Sequence, residues 1–311
     1  MSIQSVTKMK YFSLLFFLFI LINSSCQKNS DEKKIKVDLS KREEIQSLPG
    51  ETEGPLRVAV AAMISPEENF FHYNEIFNYI HHKIGRKIIF KQRKSYQEVN
   101  ELLRLQELDF AFICSGAYVE AREEFDAEIL VVPQIKGKSN YHAYVIVRND
   151  SGLAKFEDLK GHDFAFTDPL SNTGCLYPRY LVKGINLSEK MFFSRVIYTY
   201  AHDYSIKAVE NKIVDAASVD SLIFDYFKGN KPQEVASLKV IKKSEPFGMP
   251  PVVIHPNIEP DLKRKLQSVF INMNTDPQGK EILSHLDIDR FVLGKDSEYE
   301  SIRKMRAFFQ E

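Results

Sequence analysis

The sequence shows no excess of charge of either sign. Its 311 residues include 42 Lys and Arg against 42 Asp and Glu, so the formal net charge at pH 7 is zero. Proteins that bind nucleic acid usually carry a basic surface, and this composition gives no indication of one. Any small anion that the protein binds must therefore be held by local geometry, because the overall charge does not attract it.

The sequence also lacks an apolar run of the ~20 residues that are needed to span a bilayer. The longest run, Tyr11–Ile22, is clearly shorter; Lys8 and Lys10 precede it and Ser24-Ser25-Cys26 follows it, which is the order of an export signal. The small residues before the cysteine resemble the lipobox of bacterial lipoproteins, although Asn23 stands where an aliphatic residue is usual. We therefore expect residues 1–26 to be a lipoprotein signal peptide with Cys26 as the lipidated residue. A cleaved signal without a lipid is the alternative.

Residues 27–55 are rich in Lys, Glu, Asp and Ser and poor in apolar residues. Such a segment cannot bury enough apolar surface to fold, so it is predicted to be a flexible tether. Folded structure is expected from Leu56 onwards, and a chain of this length has room for two domains. Hydrophobic residues make up 44% of the sequence and aromatic residues 12%, which is enough for real cores.

Strand and helix patterns alternate along the rest of the chain. The predicted strands are 58–64, 87–90, 109–114, 128–132, 141–148, 164–167, 196–200, 214–219, 238–241 and 250–255. The predicted helices are 69–84, 95–105, 173–183, 205–211, 221–227, 259–274, 276–285 and 297–309. This alternation is typical of an α/β fold with parallel strands.

The most informative stretch is Asp163–Pro178, with the sequence DFAFTDPLSNTGCLYP. A short apolar strand ends in an Asp-Pro turn, and Ser171, Asn172 and Thr173 then lead into a helix. Helix N-termini carry unsatisfied N–H donors and partial positive charge, so a small anion is their natural guest. Ordinary helix capping explains the same residue types and is the alternative.

A similar arrangement occurs earlier in the chain. Asp109–Phe112 has the same residues, Asp-Phe-Ala-Phe, as 163–166, and it leads into Ser115-Gly116 at another helix start. In open α/β sheets, ligands bind beyond the carboxyl ends of the strands. The two strand ends could therefore face each other across one cleft.

Five stretches, taken in order, resemble the substrate-binding proteins of phosphate, phosphite and phosphonate ABC importers. They are Ser95–Val99, Asp109–Tyr118, Tyr141–Arg148, Asp168–Pro178, and Ala201–Ser205 followed by Val214–Ala217. The resemblance covers about residues 56–292. It implies an α/β fold of the two-lobed, type II periplasmic-binding-protein kind, in which each lobe is a mixed sheet flanked by helices and two crossings form the hinge. The boundaries that follow are 56–148 and 250–311 for lobe 1 and 149–249 for lobe 2.

The resemblance also implies where the ligand is held. The residues that match the family's ligand-binding positions are Tyr96, Tyr141, Ser171, Asn172, Thr173 and His202. Asn172 departs from the family's pattern, in which a hydroxyl residue is usual, but its amide can still donate a hydrogen bond. A second group of candidates, chosen by position, is Ser115, Tyr118 and Asp220, and Asp220 can equally cap the helix that follows it. No catalytic residue, metal or cofactor is expected.

The function that the resemblance implies is that of an extracytoplasmic, lipid-anchored receptor of an ABC importer. We expect a monomer that binds a small phosphorus oxyanion between closing lobes and delivers it to permease and ATPase subunits. The expected ligands are phosphate, phosphite and short alkylphosphonates, because the segments near the predicted cleft offer few acids, apart from Asp220, to balance a buried amine.

Other functions stay open at this point. A hydrolase is disfavoured, because the sequence has no G-x-S-x-G motif and no acid spaced to orient His202. A receptor for another ligand is a further alternative, for example one that holds ferric ion on Tyr198, Tyr200 and Tyr204. A sensor component is another alternative. Cys114 and Cys175 are expected one on each side of the cleft, and since a disulfide would lock the hinge, free thiols are predicted.

Overall fold

The computed structural model of the protein describes residues 54–63 and 66–309, with only the backbone for residues 66–72. These residues belong to one compact unit. The predicted signal peptide, the lipidation site Cys26 and nearly all of the predicted tether lie outside the described residues. Within the described ranges, no helix has the length and apolar character needed to cross a membrane.

Strands and helices alternate along the described chain, as the sequence predicts. The strands are β1 (Leu56–Val60), β2 (Ile88–Phe90), β3 (Phe110–Phe112), β4 (Glu128–Gln134), β5 (Asn140–Tyr141), β6 (Ala143–Arg148), β7 (Asp163–Phe166), β8 (Arg195–Tyr198), β9 (Ala216–Asp220), β10 (Leu238–Lys243), β11 (Phe247–Gly248), β12 (Val252–Ile254) and β13 (Arg290–Val292). The helices are α1 (Pro66–Ile84), α2 (Tyr96–Arg104), α3 (Ser115–Phe125), α4 (Tyr177–Gly184), α5 (Glu189–Phe192), α6 (His202–Glu210), α7 (Ser221–Asn230), α8 (Pro260–Asn272), α9 (Pro277–His285) and α10 (Glu300–Ala307).

The strands form two large sheets, and each sheet with its helices is called a lobe. Lobe 1 has a six-stranded sheet in the order β13-β4-β12-β3-β1-β2, and lobe 2 has a five-stranded sheet in the order β10-β6-β9-β7-β8. β1 is parallel to β2 and β3, whereas β12 is antiparallel to β3 and β4. β7 is parallel to β8 and β9, whereas β6 is antiparallel to β9 and β10.

Both sheets are therefore mixed, as the resemblance implies. The alternation of elements predicts a purely parallel sheet, and this prediction is wrong. β6 and β12 are the first strands to enter each sheet after the chain crosses from the other lobe, and each runs against its neighbours. Only the path of the whole chain decides their direction.

The predicted boundary of lobe 1 at Arg148 is also wrong. β6 pairs with β9 and β10, so it belongs to lobe 2. The first crossing precedes β6, at β5, which pairs with β11 on the second crossing to form a two-stranded ribbon. Residues 141–148 resemble one strand in sequence, but the backbone N–H of His142 donates to Ser221 Oγ at 3.0 Å, so the ribbon ends there.

Aromatic residues on the buried strands hold each lobe together. In lobe 1 the rings of Phe110 and Phe112 each pack edge-on against Phe270 of α8, with centroids 5.9 Å apart. In lobe 2 the ring of Phe164 stacks on Phe193 at 4.3 Å. Because β3 and β7 are fixed by these contacts, the residues at their carboxyl ends are presented on a rigid frame.

The C-terminal segment, residues 296–309, contacts both lobes and the second crossing. The guanidinium of Arg306 lies 2.8 Å from the carboxylate of Glu120 in α3 of lobe 1. The hydroxyl of Tyr299 donates to the carbonyl of Met249 at 2.6 Å, and the amine of Lys183 in α4 donates to the carbonyl of Phe308. The predicted assignment of this segment to lobe 1 alone is therefore incomplete, because α4 belongs to lobe 2.

Candidate functional site

The loop between β7 and α4 turns at the carboxyl end of its strand. Ser171 caps the π-helical turn Asn172–Leu176, and its Oγ accepts from the backbone N–H of Gly174 at 3.0 Å. An added Cβ on Gly174 would lie 1.9 Å from Thr167 Oγ1, so this close approach requires glycine. The capping interpretation is therefore confirmed for Ser171.

Capping does not account for the next two residues of the loop. Asn172 and Thr173 are fully buried, and within the described part of the chain neither Asn172 Oδ1 nor Thr173 Oγ1 has a hydrogen-bond partner. An unpaired buried polar atom costs about 1–3 kcal/mol. Such atoms usually face a ligand or water, so these two side chains are the loop's best candidates for ligand contacts.

Lobe 1 contributes a further unpaired polar atom, the hydroxyl of Tyr96. This residue begins α2, whose predicted capping box between Ser95 and Glu98 is present. Burial raises the pKa of Tyr96 well above its usual value, so the phenol keeps its proton and can donate. The backbone N–H of Tyr96 donates to the carboxylate of Asp168 in lobe 2 at 3.0 Å, which places the start of α2 beside the loop.

The ribbon between the lobes contributes Tyr141. Its hydroxyl shares a hydrogen bond with Ser115 Oγ at the start of α3 and accepts one from Asn172 Nδ2 at 3.2 Å. These three buried side chains join the first crossing, lobe 1 and lobe 2. The oxygen and nitrogen of the Asn172 amide exchange places when the group rotates by half a turn. In that orientation the oxygen accepts from the hydroxyl of Tyr141, and the NH₂ group is a donor without a protein partner.

His202 is the first residue of α6 and is almost fully buried. Its Nδ1 accepts from the backbone N–H of Asp220 at 3.2 Å and lies 3.2 Å from Thr167 Oγ1, which leaves the ring proton on Nε2. Burial lowers the pKa of His202 to about 3, so the ring is neutral at pH 7. Its backbone N–H donates to the carbonyl of Met63 in lobe 1 at 2.9 Å.

The second group of candidates divides between the site and its surroundings. Ser115 lies in the site through its hydrogen bond with Tyr141. Tyr118 is turned away, and its hydroxyl donates to Asp296 of the C-terminal segment at 2.6 Å. Asp220 caps α7, because its carboxylate accepts from the backbone N–H of Leu222 at 2.7 Å.

Three residues of the site are not among the ligand candidates that the sequence analysis names. Asp168 is buried and holds the start of α2, yet in sequence its Asp-Pro pair is read only as the end of a strand. Ser218 on β9 donates to the carbonyl of Thr173 at 2.5 Å. Gly116 of α3 lies directly against the loop. In the sequence, only its position after a strand end indicates that it could belong to the site.

None of these site residues is a lysine or an arginine, so the side-chain donors are neutral. Buried carboxyl groups near the site include Asp168 and Asp220, together with Asp203 next to His202. Burial raises the pKa of Asp168 and Asp220, that of Asp220 to about 7. Because Asp220 is protonated in part near pH 7, it repels an anion less than an ordinary carboxylate would. The site therefore agrees with the balanced charge of the sequence, because an anion would be held by aimed dipoles.

Replacing Asp220 with asparagine is expected to change how stability depends on pH. The folded-state pKa of about 7 lies above the usual 3.8, so between these values the folded protein keeps a proton that the unfolded chain releases. Asp220 therefore lowers the free energy of unfolding as the pH rises through this window, whereas asparagine still caps α7 and does not titrate. One pKa unit corresponds to about 1.4 kcal/mol. As the pH rises through the window, the free energy of unfolding of the variant should therefore gain a few kcal/mol relative to that of the wild type. Urea unfolding at pH values below and above the window measures this gain, and parallel pH curves would contradict it.

The other candidate sites are not supported by the geometry. The side chains of Tyr198, Tyr200 and Tyr204 are about two-fifths exposed, which does not suit an enclosed ferric site. The part of the chain that the structure describes has no cluster of three His, Cys, Asp or Glu residues able to hold a metal ion. Cys114 and Cys175 are both buried free thiols, so that prediction is confirmed.

Comparison with known proteins identifies similar chains. A family model described as "ABC transporter, phosphonate, periplasmic substrate-binding protein" matches residues 58–299. The phosphonates-binding periplasmic protein of Escherichia coli K12 is 28% identical over 231 residues, which cover 73% of this chain and 68% of that protein.

Two solved structures have a similar fold. The binding protein component of an ABC phosphonate transporter from Pseudomonas aeruginosa has a TM-score of 0.78 at 24% identity, over 83% of this chain and 87% of that chain. PhnD1 from Prochlorococcus marinus, in complex with methylphosphonate, has a TM-score of 0.75 at 18% identity, over 82% and 98%. The two-lobed, type II periplasmic-binding-protein fold is thereby confirmed.

Proposed function

The chain belongs to the family of periplasmic substrate-binding proteins of phosphonate ABC transporters, and from this premise we propose that it binds a small phosphorus oxyanion between its two lobes. The family is one of transport receptors that act outside the cytoplasm. The proposed ligands are phosphate, phosphite and short alkylphosphonates. The proposed partners are the permease and ATPase subunits of an importer.

The observation that carries the proposal is the set of unpaired polar groups that both lobes bury. Thr173 Oγ1 and the amide of Asn172 come from lobe 2, and the hydroxyl of Tyr96 comes from lobe 1. Nε2–H of His202 is a further donor beside the loop. A hydrogen bond to a charged group contributes about 1.5–3 kcal/mol. Four such bonds give a gross contribution of about 6–12 kcal/mol, from which lobe closure and anion desolvation subtract. This range includes the value of about 8 kcal/mol that a micromolar dissociation constant needs.

The same geometry supports binding rather than catalysis. A general base works best when its pKa lies near the working pH. The pKa of His202 is about 3, and its Nδ1 faces a backbone N–H where a catalytic triad would place a carboxylate. His202 therefore suits a hydrogen bond to an anion better than proton transfer.

The proposal predicts ligand binding together with closure of the lobes. Calorimetry should give micromolar or tighter binding of at least one of phosphate, phosphite and methylphosphonate, and solution scattering should show a smaller radius of gyration with that ligand. 2-Aminoethylphosphonate is expected to bind about tenfold more weakly, because Asp220 beside the loop already accepts from the backbone N–H of Leu222 and its raised pKa of about 7 makes it a poor partner for a buried ammonium group. The proposed function fails if none of the three ligands binds, and the hinge mechanism fails if the scattering curves do not change.

A lipid anchor on Cys26 is part of the proposal, supported by the lipobox-like sequence before it. Cys26→Ala should release the protein from the membrane into the soluble extracytoplasmic fraction. Its affinity for the ligand should be unchanged, because the folded unit begins well after this residue. Fractionation and immunoblotting measure where the variant is found. Retention of the variant in the membrane fraction would contradict the anchor.

A further inference from the structure

A cavity of about 320 Å³ adjoins the site. Met63, Tyr141 and Asp220 line it, and each of them also contacts a site residue. The carbonyl of Met63 and the backbone N–H of Asp220 are both hydrogen-bonded to His202, and the hydroxyl of Tyr141 is hydrogen-bonded to Asn172. The cavity therefore adjoins the site, and Tyr141 belongs to both.

The walls of the cavity are mainly apolar and come from both lobes. Besides Tyr141, three more tyrosines contribute to them, namely Tyr73, Tyr144 and Tyr226. Half-buried aliphatic side chains complete the walls: Ile135, Leu222, Ile223, Leu286 and Ile288. Half-buried apolar side chains around a concave space favour an apolar guest, because the guest removes their remaining surface from water.

Charge at the cavity is of both signs. Lys136, Lys138 and Lys243 line it together with three acids, Asp220, Asp225 and Asp287. The amine of Lys243 lies 5.8 Å above the ring of Tyr144, whose hydroxyl donates to Asp225 at 3.4 Å. Since neither sign dominates, net charge does not select the guest, and the shape and apolar character of the walls do.

The volume is far larger than the substituent of a short alkylphosphonate requires. Pockets for small organic ligands begin at roughly 300 Å³, so the cavity alone is as large as such a pocket. A methyl group that leaves the anion loop past Tyr141 and Asp220 would leave almost all of it unfilled. Both residues are nearly fully buried, at 1% and 3% exposure, so they are the partition that a substituent has to pass.

We propose that this cavity is a substituent compartment, which receives a bulky apolar or aromatic group attached to the phosphorus oxyanion that the loop holds. The inference rests on the proposed function and names a larger class of ligands for the same site. The shared chemistry is an oxyanion head with an aryl group of the size of a phenyl ring, linked either directly to phosphorus or through an ester oxygen. Such a ring fits edge-on or stacked against the tyrosines of the walls.

The test compares ligands with small and large substituents on the full chain by calorimetry. The probes are methylphosphonate, phenylphosphonate and phenyl phosphate. We expect at least one of the aryl compounds to bind as tightly as methylphosphonate or more tightly. A comparison of the two aryl compounds shows whether the ring is preferred directly on phosphorus or on an ester oxygen. Tight binding of either compound supports the compartment.

Two variants fill the compartment from opposite sides. Ile223→Trp lies in α7 of lobe 2 and Ile288→Trp lies in lobe 1, so the test survives if one of them does not fold. Each should weaken binding of the aryl ligand by about tenfold or more and leave methylphosphonate binding unchanged. Ile185→Trp is the matched control, because Ile185 is 41% exposed and does not line the cavity.

The outcomes separate the inference from the proposed function. If the wild type binds methylphosphonate but both aryl compounds bind about 100-fold more weakly, the compartment is overturned and the proposed function stands. Equal losses for methylphosphonate and the aryl ligand in the tryptophan variants would also overturn it. If no phosphorus ligand binds the wild type, the proposed function fails and the compartment fails with it.

Discussion

Replacing Gly116 with alanine should weaken ligand binding by about 5- to 150-fold, because overpacking a close contact costs about 1–3 kcal/mol. A Cβ at this position in α3 would lie 2.4 Å from the carbonyl oxygen of Leu170 and 2.8 Å from the backbone nitrogen of Asn172. Both atoms belong to the loop of lobe 2, and backbone atoms cannot turn aside as a flexible side chain can. The methyl group would therefore hold the lobes apart where the candidate ligand contacts meet.

Gly229→Ala is the matched control for this variant. Gly229 lies in α7, and no atom outside its own helix turn lies within 4 Å of an added Cβ. Binding should equal that of the wild type, and stability should rise by up to about 1 kcal/mol, because alanine favours helix. Calorimetry measures the affinities, and scattering with saturating ligand should give a larger radius of gyration for Gly116→Ala. Wild-type affinity in Gly116→Ala would mean that the bound lobes do not approach this closely.

Tyr96→Phe and Thr173→Val should each weaken binding by roughly 10- to 150-fold, the equivalent of a hydrogen bond of about 1.5–3 kcal/mol to a charged group. Both substitutions remove a buried hydroxyl that has no protein partner in the described part of the chain. The stability of the ligand-free protein should therefore be unchanged or higher. A loss of affinity without a loss of stability is the signature that separates a ligand contact from a structural one.

Tyr299→Phe provides the opposite pattern as a control. Its hydroxyl donates to the carbonyl of Met249 at 2.6 Å, so its removal should lower the free energy of unfolding by about 0.5–1.5 kcal/mol. Thermal unfolding and calorimetry on all three variants give both quantities. Unaltered affinity in Tyr96→Phe and Thr173→Val together would place the oxyanion elsewhere in the protein.

The sequence by itself determined the features that depend on neighbouring residues. The capping box of α2 follows from Ser95 and Glu98, three positions apart, and it forms as predicted. The strand 163–166 and the cap at Ser171 follow from an apolar run and a polar turn next to each other. The α/β class followed in the same way, since the order of strands and helices is local information repeated along the chain. The two lobes with mixed sheets were implied by the family resemblance.

Only the tertiary structure decided which of these local features meet. Tyr141 is a candidate through the family resemblance and Tyr118 through its position alone. The structure separates them, because Tyr141 contacts Asn172 and Tyr118 contacts Asp296. β6 has the pattern of a buried strand in either lobe, and its partners in β9 and β10 lie about 70 to 100 residues further along the chain. Asp168 binds the backbone of Tyr96 across 72 residues of sequence. The physical reason is that burial, unpaired hydroxyls and close backbone contacts arise between segments far apart in sequence, and no local pattern specifies which of them pack together.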